Sequence, residues 1–221
     1  MDTLEHPQSY YVASARPFPQ LPELQGEAEA DVAIIGGGYT GLSAALNLAE
    51  RGYRSVLIDQ ARIGWGASGR NGGQINTGLR KGPIELIAGY GRDRAKALFD
   101  LAEEGRAIIR ERVARHRIRC DLKANTLFVA HRPSEEGGMR AEVAALEKEF
   151  GYRKARFIPR EELDEHIGSE AFYAGIADYG GGHLHPLNYA LGLAQAAIDA
   201  GATPFERTHA FPIDVKGGGG S

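Results

Sequence analysis

Asp31-Val-Ala-Ile-Ile-Gly-Gly-Gly-Tyr-Thr-Gly-Leu-Ser-Ala-Ala45 is the stretch that decides the fold of this chain. Its apolar run, Val32 to Ile35, is rich in β-branched residues and reads as a fully buried parallel strand. Gly36, Gly38 and Gly41 follow in G-x-G-x-x-G spacing, after which Leu42, Ala45, Leu46 and Ala49 recur at helical intervals. In such a turn the first glycine permits the sharp reversal, the second lets the backbone approach a pyrophosphate, and the third lets helix and strand pack closely. The helix start adds unpaired N–H groups and a positive dipole end. Glycine strings arise by chance, so the weight rests on the strand before and the helix after.

Ser55-Val-Leu-Ile-Asp59 reads as a second strand, completing a β-α-β unit of about thirty residues. Asp59, followed by Gln60, lies about twenty positions beyond the glycines, where a carboxylate accepts the hydroxyls of an adenosine ribose. The same charge repels a 2′-phosphate, which disfavours NADP. From these residues alone the ligand is a dinucleotide and no more.

A second glycine-rich stretch follows: Arg62-Ile-Gly-Trp-Gly-Ala-Ser-Gly-Arg-Asn-Gly-Gly-Gln74. Its glycines let backbone N–H groups come close to a flat ligand, and Ser68, Arg70 and Asn71 supply directed hydrogen bonds. Flexible linkers are built from Gly and Ser without interleaved Trp, Arg and Asn.

The glycine turn followed by G-W-G-A-S-G-R-N-G-G-Q resembles the N-terminal half of the FAD-dependent amine and amino-acid oxidases of the D-amino-acid oxidase superfamily. Gly182-His-Leu-His-Pro186 fits the same group, and Ser9-Tyr-Tyr11 before the first strand is similar to the arm of its γ-glutamylputrescine oxidases. The resemblance implies FAD as cofactor. Gly36, Gly38 and Gly41 would receive its pyrophosphate, Asp59 with Gln60 its ribose, and Arg62 would flank the adenine. Gly66, Ser68, Arg70, Asn71 and Gly72 would run along the pyrophosphate, ribityl chain and ring edge. It further implies oxidation of a γ-glutamylputrescine-like amine to an imine in polyamine catabolism, with O₂ as acceptor giving H₂O₂. Two alternatives stand beside it: a flavin dehydrogenase passing electrons to a carrier, and a non-catalytic or inactive FAD-binding fragment.

The fold class expected is α/β: a FAD-binding Rossmann-like β-α-β domain with an inserted α+β substrate domain, truncated at the C-terminus. The expected divisions are an arm (1–30), the first part of the FAD domain (31–85), a helical and substrate-domain region (86–180), a return to the FAD domain (181–216) and a Gly-rich tail or linker (217–221). The arm, with its prolines from Pro17 to Pro22, is expected to lie extended on the body of the protein.

With 221 residues, 43% of them hydrophobic, the chain has enough apolar material for an ordinary core. A net charge of −3 leaves no basic footprint for nucleic acid. No apolar run approaches the length of a membrane span. The absence of a secretory pattern points to the cytoplasm. Cys120 is the only cysteine, which excludes an internal disulfide, and a partly buried structural position is expected for it.

Downstream, Asp93 is expected to cap a long amphipathic helix reaching about Arg117, with a solvated charged face from Glu103 to Arg112. The basic run Arg110 to Arg119 reads as surface. Strands are expected at Thr126–Ala130 and Ala155–Ile158, and helices from about Ser134 to Phe150 and from Pro186 to Ala200. His183 and His185 are the candidate catalytic residues, two apart and therefore on one side of an extended segment. They lack a third ligand for a metal, and none is expected. Ala202–Thr208 and Phe211–Lys216 read as returning strands.

Overall fold

A computed structural model describes residues 4–211. In chain order its elements are α1 (Tyr10–Ala13), β1 (Val32–Ile35), α2 (Tyr39–Glu50), β2 (Ser55–Ile58), β3 (Gln74–Ile75), α3 (Pro83–Tyr90), α4 (Arg92–Arg115), β4 (Lys123–Ala130), α5 (Glu136–Phe150), β5 (Ala155–Pro159), α6 (Arg160–Leu163), β6 (Ala174–His183), α7 (Pro186–Asp199) and β7 (Thr203–Phe205). They fall into two compact units. The first takes in the described parts of Met1–Gly72, Arg115–Cys120 and His185–Ser221; the second comprises Gly73–Ala114 and Asp121–Leu184.

In the first unit β1, β2 and β7 form a parallel sheet in that order, the Rossmann-like core. Helix α2 buries Leu42, Ala45, Leu46 and Ala49, a stripe at three- and four-residue steps, against the sheet and α7. Leu42, Leu46 and Leu57 are almost wholly buried, each contributing about 1.5–3 kcal/mol. Helix α7 is buried over most of its circumference. Pro186 stands at its first position and His185 caps it by accepting the Asn188 N–H.

The expectation of a fully buried β1 is corrected. Val32 and Ile34 are half-buried while Ala33 is exposed and Ile35 is 57% exposed. Among the described residues β1 pairs with β2 alone and α2 packs on it, so its alternate side chains face water. Two-sided burial needs layers on both faces.

The N-terminal arm does lie on its unit. Ser9 caps the short α1, Arg16 N–H donates to Asn188 Oδ1, and Leu21 N–H donates to Glu206. Glu206 N–H in turn donates to the Pro22 carbonyl. The strand expected at Ala202–Thr208 is shorter than anticipated, and that at Phe211–Lys216 falls almost wholly outside the described residues. So does the 217–221 tail.

The second unit is built on an antiparallel sheet in which β6 pairs with β4 along one side and with β5 and β3 along the other. Leu86, Ala95, Phe99, Leu146, Phe150 and Tyr152, from α3, α4, α5 and the turn after α5, make one apolar cluster; Ile158, Leu163 and Ala177 centre another.

Asp93 sits inside the first turn of α4, because the helix begins a residue earlier than expected. There its charge still suits the dipole. The solvated face expected from Glu103 to Arg112 is also corrected. Arg106 is buried, and Arg110 donates to the Gly180 and Gly181 carbonyls at 2.7 Å. The triple glycine of β6 leaves room for close neighbours: a Cβ at Gly182 would stand 3.3 Å from Arg110 NH2. A Cβ at Gly180 would overlap the Tyr152 hydroxyl, and one at Gly181 the Thr126 hydroxyl.

Candidate functional site

The site grows out of the β1–α2 turn. Gly36 has φ +106°, a backbone conformation that side chains rarely adopt, and open space where its Cβ would stand. Gly41 lies in the first turn of α2, so close to the Gly36 carbonyl that a Cβ would collide with it. The turn is thereby held tight with its outer side free.

Asp59, directly after β2, is tied to that turn: its Oδ2 accepts the Gly37 N–H at 2.6 Å and its Oδ1 the Ala61 N–H at 2.7 Å. A carboxylate has about four acceptor sites, so two bonds leave capacity for ribose hydroxyls. Gln60 beside it is exposed.

The second glycine-rich stretch meets the same turn. Ser68 Oγ accepts the Tyr39 N–H at 2.9 Å, at the start of α2, and a Cβ on Gly38 would stand 2.9 Å from that oxygen. Asn71 Nδ2 donates to the Ala67 and Ser68 carbonyls, closing the short 3₁₀ turn Ala67–Gly69. Arg70 Nε donates to the Gly66 carbonyl and its guanidinium lies 4.4 Å from the centre of the Trp65 ring. Gly66 has open space at its Cβ position, and Gly72 is exposed at the end of the stretch. Gly36, Gly38, Gly41, Asp59, Ser68 and Asn71 thus converge, with Tyr39 between them.

Arg62, the residue expected to flank the adenine, is held by two carboxylates. Its Nε pairs with Glu206 at 2.8 Å and its NH1 with Glu5 at 3.1 Å, and Glu5 also pairs with Arg207. Two carboxylates hold the guanidinium because the arm and the end of β7 both reach it. Trp65 Nε1 donates to the Glu5 carbonyl at 2.9 Å. None of these partners was expected from sequence.

The two histidines are separated. His183 is the exposed last residue of β6 and belongs to the second unit, whereas His185 is buried in the first. The strand stops at His183, so the spacing argument that put both rings on one side lapses. His185 uses Nδ1 to cap α7, has Nε2 3.1 Å from Ser14 Oγ, and packs edge-on against Tyr11. Cys120 is wholly buried, and its carbonyl accepts the His185 N–H.

Within the second unit, Asp178, Tyr152, Thr77, Arg106 and Glu103 form a buried polar network. Burial, then the bond to Asp178, pushes the Tyr152 phenol up. Beside this network is a cavity of about 780 Å³ whose lining includes Phe99, Phe128, Met139, Ile176 and Glu142. Burial, then the nearby charge of Glu85, raises the Glu142 carboxyl above its ordinary 4.5. Because the folded state holds this proton more tightly than the unfolded state, stability falls as pH rises from 4.5 through the raised value. Glu142→Gln is therefore expected to shift the urea midpoint upward at neutral pH and to lose that advantage in acid; an equal shift at both pH values would contradict the assignment.

The residue pattern and the geometry agree with what comparison finds. The family model described as FAD dependent oxidoreductase matches residues 31–221. The chain belongs to that family.

A probable oxidoreductase OrdL of Rhizobium meliloti (strain 1021) is 43% identical over 210 residues, covering 95% of this chain and 49% of its own. Gamma-glutamylputrescine oxidoreductase of Escherichia coli (strain K12) is 37% identical over 202 residues, covering 91% and 47%. The chain spans about half the length of the curated relatives it matches. Among solved structures, L-amino acid deaminase from Proteus myxofaciens superposes with a TM-score of 0.70 at 21% identity, over 88% of this chain and 41% of that one. Glycine oxidase from Geobacillus kaustophilus gives 0.63 at 23%, over 80% and 46%. These establish the shared fold.

FAD is the cofactor of this family, and the residues present fit it: a positive-φ glycine with open space, a helix start facing the turn, and a carboxylate with spare acceptor sites. Among the described residues no group of three or more His, Cys, Asp or Glu is arranged to hold a metal, and no helix is long and apolar enough to cross a membrane.

Proposed function

We propose that this chain carries the dinucleotide seat of an oxidoreductase that converts an amine or amino acid to its imine, with a γ-glutamylputrescine-like substrate and O₂ as acceptor. The observation that carries the reading is the lock between glycine turn and ribose acid, Gly37 N–H to Asp59 Oδ2, in a chain 37% identical to a gamma-glutamylputrescine oxidoreductase.

In this reading Gly36, Gly38, Gly41 and the start of α2 receive the pyrophosphate, and Asp59, flanked by Gln60, orients the ribose. Gly66, Ser68, Arg70, Asn71 and Gly72 follow the rest of the cofactor. Bound there, FAD would supply the two-electron oxidation of the carbon that bears the amine. The second unit takes the part of substrate domain. His183 is the histidine left to meet a substrate, since His185 is spent on its cap. The lone cysteine suits a reducing compartment, so the cytoplasm is the proposed site of action.

Titrating the purified chain with FAD is expected to give a protein-bound flavin band near about 450 nm, a general property of the cofactor. γ-Glutamylputrescine is then expected to bleach that band, with O₂ uptake and peroxide release in air. Dye reduction without O₂ uptake would replace the oxidase reading by that of a dehydrogenase. Absence of any bound flavin would remove the seat itself.

A further inference from the structure

Glu206, just past β7, is a carboxylate with 1% of its surface exposed. Burying a charge is costly unless it is paired and hydrogen-bonded, and here two backbone donors and one guanidinium converge on it. Its Oε1 accepts the Ile63 N–H at 2.7 Å; its Oε2 accepts the Leu21 N–H at 3.0 Å and pairs with Arg62 Nε at 2.8 Å.

The next amide along from Ile63 touches the glycine turn. Gly64 N–H donates to the Gly37 carbonyl at 2.9 Å, while Gly37 N–H donates to Asp59. The Ile63 side chain, wholly buried, lies on Gly37 so closely that a Cβ there would stand 2.6 Å from Ile63 Cδ1. Consecutive amides, Ile63 and Gly64, are therefore clamped between Glu206 and the turn.

We propose that Glu206 is a positioning residue for the diphosphate seat: it fixes Ile63–Gly64, which hold Gly37 and through it the register between the turn and Asp59. The proposal rests on the flavin reading of that seat. It assigns the carboxylate no contact with cofactor or substrate.

Glu206→Gln tests it without changing side-chain volume. A carboxamide has one acceptor oxygen, which is best placed toward Leu21 N–H and the Arg62 cation together, so its NH₂ group is left facing the Ile63 N–H. The Ile63 bond is lost while the arm stays attached. Hydrogen exchange at the Ile63 and Gly64 amides is expected to accelerate, and the FAD dissociation constant to rise, each by about tenfold, the size of one charge-assisted hydrogen bond. Leu21→Pro removes the Leu21 N–H, together with the leucine side chain, without touching Glu206, and is expected to leave both readouts within about threefold of wild type.

Unchanged Gly64 exchange or unchanged FAD affinity in Glu206→Gln would overturn the proposal. So would an equal loss in Leu21→Pro, or loss of the whole fold in Glu206→Gln, which would make Glu206 a residue of general stability. A wild-type chain that takes up no FAD would instead overturn the flavin reading, and Gly64 exchange alone would then decide whether Glu206 holds the loop.

Discussion

Asp178→Ala is expected to lower the unfolding free energy of the second unit by about 3–5 kcal/mol, the cost of breaking a buried ion pair from one side. Asp178 is almost wholly buried and accepts the Tyr152 hydroxyl and the Gly180 N–H on Oδ1, and the Thr77 hydroxyl on Oδ2. Arg106 NH1 lies 3.8 Å from the same Oδ2. Alanine removes the acceptor and leaves the buried Tyr152 phenol and Thr77 hydroxyl without it beside an apolar cluster, while Arg106 keeps Glu103, Thr77 and Tyr152 but loses the second carboxylate. Asp178→Asn keeps the shape and one acceptor, and a smaller loss, about 1–3 kcal/mol, is expected. Urea titration followed by circular dichroism measures both. A loss below about 1 kcal/mol for the alanine variant would mean that water replaces the carboxylate at little cost.

Gly41→Ala carries the largest effect expected at the seat. In an exposed helix alanine gains about 1 kcal/mol over glycine. Here its Cβ collides with the Gly36 carbonyl and lies 3.2 Å from Ile34 Cγ2, and neither backbone nor strand gives way easily. Overpacking of this kind costs about 1–3 kcal/mol, so the helix gain is outweighed. The turn must open to admit the methyl group, and Gly36 moves with it. A fall of about a hundredfold in FAD affinity is expected, equivalent to about 2.8 kcal/mol. Gly66→Ala is the control for stability: nothing lies within 4 Å of its Cβ position, and the melting temperature should hold. Equal FAD affinity in Gly41→Ala and wild type, read by flavin fluorescence, would show that the turn does not depend on this approach.

The β1–α2–β2 unit was legible because its signals are local. Glycine spacing, strand composition and helical period all lie within Val32–Asp59, and the sheet pairs those strands in parallel as anticipated. The polar residues interleaved with glycines from Arg62 to Gln74 read locally as a cradle and no more; that Ser68 and Asn71 share a site with the glycine turn was implied by the family resemblance. Misreadings occurred where a residue's surroundings come from far along the chain. Ile35 has the composition of a buried strand, yet whether its outer face is covered depends on layers the local pattern does not contain. Arg106 and Arg110 have the spacing of a solvated helix face, but Thr77 and Tyr152 hold Arg106 inward and the bare carbonyls at Gly180 and Gly181 hold Arg110.

By itself the sequence determined that a β-α-β unit with a tight glycine turn and an acidic residue after its second strand would form, because those features depend on neighbours within about thirty residues. Only the tertiary structure decided the rest: His185 became a cap and His183 an exposed strand end, Arg62 was drawn between Glu5 and Glu206, and an acidic residue after β7 came to grip the loop behind the seat. Hydrogen-bond partners separated by more than a hundred residues are set by how strands and helices stack, and no local periodicity encodes which donors that stacking leaves inside.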